Sequence, residues 1–242
     1  SGKKLHHCSS TTAVALWARS TAARTSGAIR MLRVMQSASV WRTGSDSVAL
    51  LRGGEVPPLG GYTHVIVSGS EASITDPQPW FTPAEETIRA AVAAGLPVLG
   101  SCFGHQLVVR ALLGPSHVRR AARPELGWFP VEVIRADDGA VGDAGPRWMF
   151  CCHFDEVCDL PADYRVLAAT PDCAVHAYRV GDAPVWGVQA HPEILPEEGA
   201  ALLAAFARKT PDLGDVVARA LAGPRRDDGF GALLVSRFLE CG

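Results

Sequence analysis

Long apolar runs are missing from this chain: no stretch approaches the roughly 20 residues that a membrane-spanning helix needs. A dominant charge is missing too. Its 23 Lys and Arg against 25 Asp and Glu leave a formal net charge of -2, which argues against a nucleic-acid surface and gives an anionic membrane nothing to hold. Cysteine pairing is also lacking. There are seven cysteines in 242 residues, an odd number, with Cys151 and Cys152 adjacent; this is no disulfide framework, and a reducing cytoplasm is the expected setting. No G-x-x-x-x-G-K-[ST] loop is present to cradle ATP phosphates. Internal repeats, low-complexity tracts and linkers are absent as well.

What is there suits a single large folded unit. Hydrophobic residues make up 48% and charged residues 20%, enough for a sizeable core. Residues 1–30 differ from the rest, with five basic residues, no acidic ones and many Ser, Thr and Ala. That composition looks like an organelle transit peptide or a tag, so an organelle-targeted form stays open. The folded domain is expected over 31–242, with Met31 as a fitting start.

From Met31 onward short apolar runs alternate with helical stretches. Leu32–Met35 and Thr63–Val67 read as strands, the second ending in the turn Ser68-Gly69-Ser70. A helix is expected from Pro83 to Gly95, with Thr82 as its cap and Glu85 and Glu86 in its first turn. Leu96–Leu99 is a short, wholly apolar strand, and a second helix runs from Cys102 to about Gly114. Five further strand candidates follow, at 128–135, 148–152, 165–170, 175–179 and 185–189, then helices near 196–209, 212–221 and 230–239. The order predicts an α/β fold: an open, mostly parallel twisted sheet, helices on both faces, and a small antiparallel extension.

Two strand ends carry chemistry. In Gly100-Ser101-Cys102-Phe103-Gly104 a strand turns abruptly into a helix, and the flanking glycines let main chains come close. Cys102 would stand at a helix N-terminus, which favours a thiolate. The N–H of Phe103 is one candidate oxyanion donor, and Ser70 or Gly69 supplies the other. Alone, the turn equally fits a buried small residue. The second strand end, Gln189-Ala190-His191-Pro192-Glu193, supplies a base. Pro192 keeps His191 extended, so His191 and Glu193 point the same way and the carboxylate can orient the ring.

G-S-C-F-G-H-Q followed by G-V-Q-A-H-P-E resembles the class I (triad) glutamine amidotransferase family, and His153-Phe154-Asp155-Glu156-Val157 with Leu160-Pro161 is similar to its H-x-D-x-V…L-P loop. The likeness extends from Met31 to Lys209 and takes in γ-glutamyl peptidases and the glutaminase domain of GMP synthase. It implies Cys102 as nucleophile, His191 as general acid/base and Glu193 as orienting carboxylate. Gln106 and the main chain around Phe154 and Asp155 would line a γ-glutamyl pocket. Glutamine or a γ-glutamyl conjugate would be the substrate, with no cofactor and no metal. Where many members have two glycines in the oxyanion loop, this chain has Ser68-Gly69-Ser70, and the Cβ of Ser70 is expected to make the backbone conformation costlier.

The leaving group stays open. It is either ammonia, passed to a separate synthetase or acceptor subunit, or else an amine or peptide released by a free-standing hydrolase. Two other classes stand beside these: a non-catalytic scaffold, and a small cysteine protein of the chaperone or deglycase kind. Cys151, Cys152, His153, Cys158 and Cys173 lack zinc-type spacing and read as buried filler. His105 reads as structural, His176 as a residue near the pocket, and Arg119, Arg120 and Arg123 as a solvated face. Asp155 fits either a substrate amine or a turn cap.

Overall fold

The computed structural model describes residues 31–34, 45–48, 56, 58–135, 138 and 142–241. The leader-like segment 1–30 and Met35 lie outside the described residues. Strands β1 (Met31–Val34), β2 (Ser45–Val48) and β3 (His64–Val67) precede helix α1 (Phe81–Ala93), strand β4 (Val98–Ser101) and helix α2 (Phe103–Leu113). Strands β5 (Val118–Val133), β6 (Gly145–Val157), β7 (Tyr164–Ala169), β8 (Ala177–Val180) and β9 (Val185–Val188) follow, then helices α3 (Pro196–Lys209), α4 (Gly214–Ala222) and α5 (Phe230–Leu239). The nine strands lie in one sheet, ordered β2-β1-β3-β4-β9-β8-β7-β5-β6.

The predicted α/β architecture is the observed one. Strands β2, β1, β3, β4 and β9 run parallel, and β8, β7, β5 and β6 continue the sheet antiparallel. Every residue of β3, β4 and β9 is buried, as both faces are covered. On one face Val65, Val67 and Val98 pack with Phe81, Ile88, Leu107 and Val108 of α1 and α2. On the other, Ile66, Leu99, Trp186 and Val188 pack with Phe230, Leu234 and Phe238 of α5. Leu203 of α3 and Val217 of α4 cover Leu126, Trp128 and Phe150 on β5 and β6.

Three local expectations need correction. Helix α1 starts at Phe81 with Trp80 as its cap residue, so Thr82 does not cap it and no acid lies in the first turn. Phe81 is drawn in by its stack on Trp80 at 4.6 Å and on Phe103 at 5.4 Å, and Pro83 costs nothing there because first-turn N–H groups lack helical acceptors. The antiparallel extension is also larger than expected, since β5 and β6 run to 16 and 13 residues. Its polar end hides in the sequence because Arg119, Arg120 and Arg123 are exposed and pair with Glu156, Asp155 and Asp172. Finally, β2, Ser-Asp-Ser-Val, has too little apolar character to announce itself, yet pairs with β1 from Met31↔Ser45 to Val34↔Val48.

Candidate active site

Strands β3, β4 and β9 are sheet neighbours and parallel, so the segments after Val67, Ser101 and Val188 emerge at one edge, where open α/β sheets place their sites. Cys102 caps α2 with φ 50° and ψ -108°, a left-handed conformation rarely held by a side-chain-bearing residue. Its N–H donates to the Val188 carbonyl at 2.9 Å, tying the elbow to β9. A Cβ on Gly100 would sit 2.5 Å from the Gly104 carbonyl oxygen, and one on Gly104 would run into the Val67 carbonyl. Both glycines are therefore required by close backbone approach.

His191 is set against this elbow. Its Nδ1 meets Glu193 Oε1 at 2.8 Å, and its side chain keeps 11% exposure. The other oxygen of Glu193 accepts from Ser101 Oγ at 3.0 Å. Burial opposes charge on His191, but the adjacent Cys102 sulfur and the Glu193 carboxylate outweigh it through charge and hydrogen bonding. They hold the ring well above the usual histidine range. Burial also pushes the Glu193 carboxyl up, yet His191 and Ser101 bring it below its ordinary value. The arrangement can present a thiol to a base whose proton is shared with a fixed carboxylate.

The turn Ser68-Gly69-Ser70 lies beside His191 and Cys102. A Cβ on Gly69 would be 2.9 Å from His191 Cε1 and 3.7 Å from Cys102 Cβ. Ser70 Oγ accepts from the Ala72 N–H at 2.9 Å. Among the described non-glycine residues a positive φ occurs at Cys102 and Asp159; Ser70 is outside that region, so the backbone cost expected of its Cβ does not arise. Phe103 opens α2, where an N–H has no acceptor within the helix.

Gln106 is buried behind the elbow. Its Nε2 donates to the Asp155 carbonyl at 2.7 Å and to Gln189 Oε1 at 3.0 Å. Gln189 Nε2 in turn approaches Cys102 Sγ at 3.8 Å, while that sulfur lies 3.7 Å from the Cys152 carbonyl. Phe154 packs on Phe206 and under Arg120. Asp155 turns its carboxylate to Ser73 Oγ at 2.6 Å, the Ile74 N–H at 3.1 Å and Arg120 at 3.2 Å, which is a loop tie. Ser101 and Gln189 were missed in the sequence. Gln189 is signalled by the same alternation that aligns His191 with Glu193.

A second polar cluster lies apart from Cys102, His191 and Glu193. The donor atoms of Glu125, Cys151 and His176 fall within 4.8 Å of one another, as do those of Glu125, His153 and Cys173. These are the groups among the described residues that could hold a metal ion. Cys151 Sγ is 3.5 Å from His176 Nε2, so this thiol belongs to a polar network and is more than filler. His176 is fully buried, with Nε2 near Cys151 Sγ and Glu125 Oε2. His105 is also fully buried, beneath Tyr178, and burial lowers it to about 3. No helix among the described residues is long and apolar enough to cross a membrane.

Comparison with known proteins follows the same lines. The family described as Glutamine amidotransferase class-I matches residues 30–210. A subunit of the glutamine-hydrolyzing GMP synthase of Pyrococcus abyssi is 33% identical over 119 residues, 49% of this chain and 62% of that protein. The corresponding subunit from Methanothermobacter thermautotrophicus is 39% identical over 100 residues, 41% of this chain and 52% of that protein. The match to the Parafrankia GMP synthase, 33% over 182 residues, takes in 70% of this chain and 32% of that protein. The chain thus spans less than two thirds of the length of these relatives. Among solved structures, a glutamine amidotransferase from Thermotoga maritima has the same fold, with a TM-score of 0.70 at 18% identity over 88% of this chain and 99% of that one. One from Methylobacillus flagellatus gives 0.68 at 19% over 88% and 94%. With the family matched across most of its length and the fold of solved amidotransferases, the chain belongs to the glutamine amidotransferase class-I family.

Proposed function

We propose that the chain hydrolyses a γ-glutamyl amide, with glutamine as the primary substrate and Cys102, His191 and Glu193 as the catalytic triad. The observation that carries this is the elbow: Cys102 is held at φ 50° beside an imidazole whose far nitrogen is fixed by Glu193. The Cys102 sulfur attacks the γ-carbonyl. The tetrahedral oxyanion accepts from the N–H of Phe103 and from that of Ser70 or Gly69. His191 delivers its proton to the leaving nitrogen, ammonia departs, and a γ-glutamyl thioester remains on Cys102. His191 then takes a proton from water, whose oxygen attacks the thioester and releases glutamate and the thiol. Gln106 and the main chain at Phe154 and Asp155 line the γ-glutamyl pocket. No step requires a cofactor or a metal.

Several relatives are named as one subunit of GMP synthase rather than as the whole enzyme. Their names support a separate synthetase partner that consumes the ammonia. The γ-glutamyl peptidase reading differs from this only in the leaving group. Incubating the purified chain with glutamine and with γ-glutamyl dipeptides, and following glutamate release, tests the proposal. Glutamate from glutamine, lost in Cys102→Ala, is the expected result. Faster release from dipeptides would favour the peptidase, and no release from either substrate would favour a subunit that awaits activation by its synthetase partner.

A further inference from the structure

The buried Glu125 is 2% exposed and His153 is 3% exposed, and the proposed reaction uses neither side chain. His153 Nε2 meets Glu125 Oε2 at 2.8 Å, and its Nδ1 meets the Asp155 carbonyl oxygen at 3.0 Å. The ring is thus held between two oxygen acceptors, a carboxylate on one side and a main-chain carbonyl on the other. Glu125 also accepts from Thr170 Oγ1 at 2.5 Å and lies 3.3 Å from His176 Nε2. Burial pushes its carboxyl up, yet the bonds from His153, His176 and Thr170 hold it below the usual range. A carboxylate this deep needs its hydrogen bonds satisfied, as those of Glu125 are by His153 and Thr170.

The pair leads to the nucleophile. The Asp155 carbonyl that accepts from His153 also accepts from Gln106; Gln106 donates to Gln189, and Gln189 approaches Cys102 Sγ. We propose that Glu125 and His153 are positioning residues, which fix the Asp155 carbonyl and through it the Gln106–Gln189 amide pair that forms the inner wall of the γ-glutamyl pocket. The inference rests on the reaction proposed above. It assigns the buried Glu125–His153 pair to substrate positioning, one wall removed from the chemistry, because neither residue touches Cys102, His191 or Glu193 in the hydrogen-bond line.

Glu125→Gln tests this. The KM for glutamine is expected to rise about tenfold while kcat stays within about threefold, the pattern of lost substrate binding. Alkylation of Cys102 by iodoacetamide, which needs no pocket, should keep its rate. In Glu125→Gln/His153→Asn a neutral amide can donate to the Asp155 carbonyl without a buried charge, and most of the KM loss should be recovered. An unchanged KM in folded Glu125→Gln, or KM and alkylation failing together, overturns the proposal. If Glu125→Gln does not fold, Thr170→Val weakens the same carboxylate more gently, and an unchanged KM there counts equally against it. A wild-type chain that turns over no γ-glutamyl substrate, yet is alkylated at Cys102, would instead refute the reaction.

Discussion

Ser101 Oγ donates to Glu193 Oε2 at 3.0 Å, across 92 positions of sequence. The residue before Cys102 therefore restrains the carboxylate that holds the His191 ring. Ser101→Ala removes one hydrogen bond to a charged acceptor, worth about 1.5–3 kcal/mol. The expected outcome is a fall in kcat of about tenfold or more with KM nearly unchanged, read from steady-state glutamate release.

Glu193→Gln should move the pH profile. In the wild type the carboxylate helps hold His191 above its ordinary range, so the proton needed by the leaving nitrogen is kept to alkaline pH. Without the charge, His191 deprotonates earlier as pH rises, and the alkaline limb of kcat/KM shifts to lower pH. The acid limb is governed oppositely. Glu193 is depressed below its ordinary value, so its contribution is present above that value and is lost as pH falls through the lower, folded one. Rate profiles of both proteins on glutamine check the pair of signs; an unmoved alkaline limb would count against the orienting role.

Strain at the elbow is separable from reactivity. Cys102→Ala and Cys102→Gly both remove the sulfur and should both lose glutamate release. Glycine alone relieves the positive φ, so Cys102→Gly is expected to be more stable than Cys102→Ala by about 1–2 kcal/mol. Urea unfolding of the two variants measures the difference, and equal midpoints would mean that no strain is stored there.

Two glycines should fail in different ways. A Cβ on Gly104 meets the Val67 carbonyl, which is backbone and cannot turn aside, so Gly104→Ala should cost more than about 4 kcal/mol and yield little soluble protein. A Cβ on Gly69 meets the edge of the His191 ring at 2.9 Å. Gly69→Ala should fold, with an unchanged circular dichroism melt, and lose about 100-fold in kcat from a displaced base.

These residues also show which parts of the molecule could be read beforehand. Helix α3 is observed over 196–209, as its proline start and apolar period indicate, and the elbow and the His-Pro-Glu turn are local patterns set by small residues and a fixed φ. Strand β2 was invisible because Ser-Asp-Ser-Val is held by backbone pairing rather than by an apolar run. Glu125 gave no signal either. Its partner His153 is 28 positions away and comes opposite it only through the β5–β6 register, which no local periodicity encodes. The tie between Ser101 and Glu193 was hidden for the same reason, since it exists only once β4 and β9 are neighbours.

The position of β9 has a consequence for the order in which the chain becomes reactive. It is the last strand in sequence but sits between β4 and β8, so the sheet stays split into two halves until residues 185–188 enter the gap. Pairing this distant in sequence carries a loop-closure cost that local contacts do not. The Cys102 elbow belongs to the first half, and His191 arrives with the strand that closes the gap. A chain without β9 in place thus holds Cys102 apart from His191, and the two meet in the same event that completes the sheet.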